Sequence, residues 1–265
     1  QGEVLESQLS YWKHLLDTSP PMLNLPTDRP RPARQSFCGA SMPVALSESL
    51  TEAINELSRR EGVTQYMTLL AAFNVLLYRY SNQEDILVGS PIPHPHHPEV
   101  ESLIGYFVNT FVLRIDLSGK PTFRELLHRV RDVCIGAYAY QELPFEKLVG
   151  ELQPERDLSR NPLFQVMFIL QNAPRPEADV STINLQPYNV DTATSKFDLT
   201  LSLREREGRL VGFFEYSTDL FDCSTIERMA GHFQTLLSGI VADPDQRISK
   251  LPLLNEADRH QLLVE

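Results

Sequence analysis

Apolar residues recur along this chain at two periods, and the periods predict its elements in order. Leu5, Leu9, Trp12 and Leu16 fall at helical spacing and predict a helix over 5–17. A proline-rich run from Pro20 to Pro32 cannot continue it and reads as an extended connector laid over a surface, with a flexible linker as the alternative. Residues 47–61 form an amphipathic helix with Leu50, Ile54 and Leu57 on one face, a capping box at Ser49 and Glu52, and a stop at Gly62. Residues 65–80 are apolar around most of a helical circumference, which predicts burial.

Strands follow. Asp85–Pro91 and Phe107–Ile115 read as strands. Thr122 and Glu125 open a helix through Leu126, Val130 and Cys134, and Pro144 can open another. Phe164–Leu170 is a continuous apolar run, as in a central strand. Over 197–203, Phe197, Leu199, Leu201 and Leu203 alternate with Asp198, Thr200 and Ser202, the pattern of a half-buried strand. A turn at Gly208 makes it a hairpin with Leu210–Ser217. Ser224 and Glu227 cap a last long helix that ends near Asp243–Pro244. Helices alternate with strands, then a hairpin follows. That order predicts an α/β fold, a mixed sheet with helices packed on its faces.

Composition narrows the function. The length of 265 residues suits one large domain or two small ones. A net charge of −11 without a Lys/Arg-rich run argues against nucleic acid. Cys38, Cys134 and Cys223 are widely spaced and include no Cys-x-x-Cys pair, which predicts a reducing, cytoplasmic setting without disulfides or zinc. No signal peptide or membrane-spanning apolar run is visible. His94, His96 and His97 lack a supporting ligand set, so no metal is expected there. His128 and Asp132 share a helical face while Cys134 points elsewhere, which argues against a Cys–His nucleophile.

Several stretches resemble one family. Ile104–Thr110 (IGYFVNT) is similar to Ile-Gly-x-Phe-Val-Asn-Thr, Tyr140–Glu146 (YQELPFE) to His-Gln-Asp-x-Pro-Phe-Glu, and Arg156–Leu163 (RDLSRNPL) to Arg-Asp-x-Ser-Arg-Asn-Pro-Leu. Lys196–Leu199 and Tyr216–Phe221 keep the same order. These are motifs of condensation domains of non-ribosomal peptide synthetases. Tyr11–Lys13 and Leu25–Pro30 resemble that family's midpoint, and Leu251–Leu263 its linker to an adenylation domain. The resemblance divides the chain into an inter-lobe helix and connector (1–36), a C-terminal lobe (37–245) and a linker toward an adenylation domain (246–265).

The resemblance implies one lobe of a chloramphenicol acetyltransferase-like fold. In the intact domain it implies amide-bond formation between two substrates carried as thioesters on the phosphopantetheine arms of peptidyl carrier proteins, with no cofactor bound directly. The partners it implies are an N-terminal lobe, the carrier proteins and an adjoining adenylation domain, with self-association of the isolated lobe. Tunnel or motif residues are Ser90, Asn109, Tyr140, Gln141, Glu146, Ser195 and Asp198, and Arg156, Asp157, Arg160 and Asn161 form a polar cluster that pins a loop. Phe107, Val108, Phe145 and Leu148 are expected in the core, and Asn109 and Glu146 as satisfied buried polar groups.

No catalytic residue is expected, because the family's His-His-x-x-x-Asp-Gly signature belongs to the other lobe. The stretch His96–Ser102 imitates it but has Glu101 and Ser102 in place of Asp and Gly. Family members follow Gly-Ser-Pro with x-x-x-Arg-x-Arg; from Gly89 those positions hold Pro95 and His97, and Tyr140 replaces the His of its motif. These departures support a second reading, a degenerate lobe that docks carrier proteins or a tailoring enzyme.

Overall fold

The computed structural model describes residues 2–16, 22–93, 108–154, 157–171 and 192–254. Its elements are α1 (Gly2–Leu16), β1 (Gly39–Ala45), α2 (Glu48–Arg60), α3 (Gln65–Ser81), β2 (Asp85–Pro93), β3 (Val108–Asp116), α4 (Phe123–Ala139), α5 (Phe145–Leu152), β4 (Val166–Gln171), β5 (Leu199–Arg206), β6 (Arg209–Ser217) and α6 (Cys223–Ala242). The strands form one six-stranded sheet in the order β1-β6-β5-β4-β2-β3. Only β5 with β4 and β4 with β2 run parallel; the other neighbours are antiparallel. The mixed α/β sheet expected from the pattern is present.

Helices α2, α3, α4 and α6 form a layer against the sheet, with α3 at its centre touching the other three. The sequence explains why: Leu69 through Leu77 of α3 are buried on every side, as a helix needs when neighbours surround it. Phe214 of β6 meets Phe73 of α3 and Phe233 of α6 across that interface. Helices α1 and α5 pack on each other, and α5 also touches β3. Arg114 of β3 pairs with Asp85 and donates to the Leu15 carbonyl at the end of α1.

Four expectations change. Strand β1 was not predicted; its residues GASMPVA are weakly apolar, and pairing with β6 makes it a strand. Helix α2 is capped by Ser47, whose side chain accepts from the Leu50 N–H, and not by Ser49. Helix α6 starts at Cys223 with Asp222 at its N-cap, two residues before the predicted cap Ser224. Strand β5 is buried on both faces, Thr200 and Ser202 included, because it lies inside the sheet. Elsewhere local signals hold. Thr122 and Glu125 form the capping box, and Glu207 and Gly208 both have positive φ in the two-residue turn closing β5 on β6.

Candidate functional site

The seam between β2 and β4 organises the site. These parallel strands share a single register pair, Gly89 with Met167. From their carboxyl ends the chain departs in opposite directions, β2 to β3 at one edge and β4 to β5 on the other side. In open α/β sheets such a switch point is where ligands bind, since the diverging connections leave a crevice.

Side chains hold the seam where the ladder is thin. Tyr66, in the first turn of α3, donates to Ser90 Oγ at 2.7 Å, and Ser90 Oγ donates to the Phe168 carbonyl of β4 at 2.9 Å. Ser90 is buried, and burial pushes the Tyr66 phenol well above its ordinary range, so it stays a donor. On the other face of β2, the Phe164 ring lies against Gly89; a Cβ there would come within 2.1 Å of Phe164 Cε2. Phe164 in turn packs on Phe145 of α5 and stacks on Phe197.

Asn109 lies on β3 opposite Ile92, two residues along the ladder from Ser90. Its Nδ2 donates to the carbonyls of Gln141 (3.0 Å) and Leu143 (2.8 Å), and its Oδ1 accepts from the N–H groups of Thr110 and Phe145. Both ends of the amide are engaged, so Asn109 fastens the turn between α4 and α5 to the edge strand. Tyr140 ends α4, stacks on Tyr11 at 4.1 Å, and its carbonyl accepts from Trp12 Nε1. Gln141 enters through its carbonyl. Glu146 is exposed in the first turn of α5, which corrects the expectation of a buried group: α5 turns Leu148 inward, and Glu146 falls on the solvent side. Val108 is likewise exposed at the start of β3, Phe145 is partly buried and Leu148 is buried, while Phe107 lies outside the described residues.

Ser195, Asp198, Asp157, Arg160 and Asn161 gather elsewhere, under the connector. Arg31 forks onto both carboxylate oxygens of buried Asp198 and donates to the Ser159 carbonyl. Ser195 Oγ donates to the Phe197 carbonyl, and Asn161 Nδ2 to that of Lys196. Asp157 accepts from the Ser159 N–H and lies 3.8 Å from Arg160; the Ser159 side chain first, then its N–H, hold the carboxyl below the usual range. Arg156, Pro95 and the His94–His97 loop lie outside the described residues. Sequence reasoning missed Tyr66, Phe164 and Arg31. Arg31 follows the Leu25–Pro30 stretch directly, and its charge beside proline was the available signal.

No group of three or more His, Cys, Asp or Glu that could hold a metal occurs among the described residues. Cys134 is buried, and desolvation raises its thiol to about 12, which makes it a poor nucleophile. Among the described residues, His14, His128 and His232 lie on α1, α4 and α6. His232 hydrogen-bonds Tyr80 at the far end of α3 from Tyr66, about 21 Å along the helix at roughly 1.5 Å per residue.

The family model described as Condensation domain matches residues 1–263. The chain belongs to the condensation-domain family. This condensation-family chain is 42% identical over 265 residues to gramicidin S synthase 2 of Aneurinibacillus migulanus, covering 100% of the chain and 6% of that protein. Over 262 residues it is 45% identical to malpinin synthetase of Mortierella alpina, covering 99% of the chain and 3% of that protein. The chain thus spans between 3% and 7% of the length of these curated relatives. Its fold is similar to that of a four-domain nonribosomal peptide synthetase bound to AMP and glycine (27% identity, TM-score 0.86, 95% of this chain, 20% of that one). The X-domain from teicoplanin biosynthesis is equally similar in fold (29%, TM-score 0.86, 94% of this chain, 57% of that one). The expected chloramphenicol acetyltransferase-like lobe is borne out by these condensation-type neighbours.

Proposed function

We propose that this chain is the C-terminal half of a condensation domain and supplies one wall of the channel in which a peptide bond forms. The observation that carries this is the family match along residues 1–263 joined to the change of strand direction at the β2–β4 seam. In the intact domain the acceptor amine, tethered through its thioester to one phosphopantetheine arm, attacks the donor's thioester carbonyl. A C–N bond forms, the C–S bond breaks, the donor carrier's thiolate leaves and the amine loses a proton. Handling that proton or the tetrahedral oxyanion calls for an imidazole within hydrogen-bond reach. Of the described histidines, His232 sits at the far end of α3 from Tyr66, and in this reading the other lobe supplies the imidazole while this half positions the substrates. Ser90, Asn109 and the Tyr11–Tyr140 stack act here as fixed scaffold.

Peptidyl carrier proteins, an N-terminal lobe and an adenylation domain reached through residues 246–265 are the partners of this reading, in the cytoplasm. Among the described residues no helix is long and apolar enough to cross a membrane. The packing surface for a second lobe is supported by exposed Val4, Val108, Ile135 and Tyr138 on α1, β3 and α4. A docking role is favoured by one observation: the chain is 28% identical, with a TM-score of 0.84, to a protein solved as a complex of the X-domain and OxyB from teicoplanin biosynthesis. Higher identity to peptide synthetases such as gramicidin S synthase 2 favours condensation.

The test uses donor and acceptor carrier proteins loaded with aminoacyl thioesters. The chain alone yields no dipeptide above background, and fusion to a histidine-motif lobe of a close relative, with Pro95→Arg, yields product. Dipeptide from the chain alone overturns the half-site reading. A folded fusion that binds carriers without turnover supports docking instead.

A further inference from the structure

The segment after α1 is fastened to the lobe along its length. At its start, the Leu23 N–H donates to Gln165 Oε1 (3.2 Å) and the Asn24 N–H to Gln83 Oε1 (2.7 Å), while Gln83 Nε2 returns a bond to the Met22 carbonyl. In the middle, the Asp28 and Arg29 N–H groups share the Leu220 carbonyl. Arg29 reaches the carbonyls of Thr218 and Phe221 and pairs with Asp222. Arg31 forks onto Asp198, the residue just before β5. At the end, the Gln35 N–H donates to the Leu158 carbonyl and Ser36 Oγ to Asp219 Oδ2 (2.6 Å).

Asp28 does a second thing. Helix α6 has Asp222 at its N-cap, but that side chain makes no cap hydrogen bond and is engaged by Arg29. The Asp28 carboxylate takes the place beside it, accepting from the Asp222 N–H at 2.8 Å and from Thr225 Oγ1 at 2.9 Å. A carboxylate at this end of a twenty-residue helix meets the positive end of the peptide dipoles. The donor is 194 positions away in sequence.

We propose that Met22–Ser36 is a strap that locks the start of β5 and the first turn of α6 and moves with this lobe as one body. Pro26, Pro30 and Pro32 reinforce this, since each fixes its own φ and lowers the freedom the strap loses on docking. A connector of this composition would otherwise serve as a swivel. The proposal does not depend on the reaction assigned to the lobe.

Hydrogen exchange read by mass spectrometry on the full chain tests it, with wild type, Arg31→Ala, Arg31→Lys and Asp28→Asn. In wild type the amides of Leu23, Asn24, Asp28, Arg29 and Gln35 exchange at least about tenfold slower than in the unfolded chain, because opening must precede exchange. Arg31→Ala removes that protection from the strap while β2 and α3 keep theirs; Arg31→Lys retains part of it. Asp28→Asn speeds exchange in the first turn of α6 several-fold and leaves β2 unchanged. Unprotected strap amides in the wild type beside a protected sheet would overturn the proposal. So would a loss in Asp28→Asn spread evenly over the whole sheet.

Discussion

Ser90→Ala cuts the hydroxyl relay in the middle, Tyr66→Phe cuts it at one end, and the two should not cost the same. Ser90 Oγ accepts from Tyr66 at 2.7 Å and donates to the Phe168 carbonyl at 2.9 Å, and Ser90 is 3% exposed. Tyr66→Phe removes one donor; Ser90 keeps its bond to Phe168, and the loss is that of an ordinary hydrogen bond, about 1 kcal/mol. Ser90→Ala leaves the Tyr66 hydroxyl and the Phe168 carbonyl facing a methyl group. A buried polar group left unmatched costs about 1–3 kcal/mol, and Phe168 is fully buried whereas Tyr66 is partly so. Ser90→Ala is therefore expected to destabilise by about 2–3 kcal/mol. With Phe at 66 already in place, Ser90→Ala strands only the carbonyl, so the double variant falls short of the sum by about 1 kcal/mol, as contacting pairs do. Equilibrium urea unfolding of wild type, both single variants and the double variant reads this as midpoint shifts at constant slope. Additive single effects, or a Tyr66→Phe cost above that of Ser90→Ala, would refute the relay as the tie across the seam.

Three further outcomes follow from the same structure. Gly89→Ala drives a methyl into the Phe164 ring, with Cβ 2.1 Å from Cε2, and should cost about 1–3 kcal/mol in the same unfolding assay; Phe164→Leu should recover part of it, and an undiminished cost would place the strain elsewhere. Cys38 and Cys223 are exposed and should react at once with a thiol reagent, while Cys134, buried and raised to about 12, reacts only on unfolding; fast labelling of Cys134 would contradict its packing. Burial raises the Glu215 carboxyl above its ordinary 4.5, more than the Lys196 backbone bond and charge lower it. The folded state thus holds that proton more tightly, so this group costs stability as pH rises from about 4.5 through the raised value. Glu215→Gln should stabilise the protein at pH 7, with the gain shrinking toward pH 4.5; a gain that grows on acidification would reverse the sign.

The two groups of motif residues show what a linear pattern can and cannot place. Asn109 and the Gln141 that follows Tyr140 belong to separate motifs, yet an Asn109 hydrogen bond joins them because α4 returns to the edge strand. Asp198 read as a tunnel or motif residue from its motif alone. Its partner is Arg31, 167 positions away, and that pairing makes it an anchor. Glu146 shared a motif with buried neighbours and still faces solvent, because the turn of α5 decides side and sequence adjacency does not.

By itself the sequence determined the element types, the mixed sheet, the burial of α3, the hairpin at Glu207–Gly208 and the family. All of these rest on local periodicity, local caps or ordered motifs, which neighbours in the chain supply. Only the tertiary structure decided that β1 exists, that β2 and β4 meet at a single pair bridged by Tyr66 and Ser90, and that Asp28 serves helix α6. Each of these is a pairing between residues far apart in sequence. Its energy comes from burial and from matched donors and acceptors, terms that do not exist until the layers close.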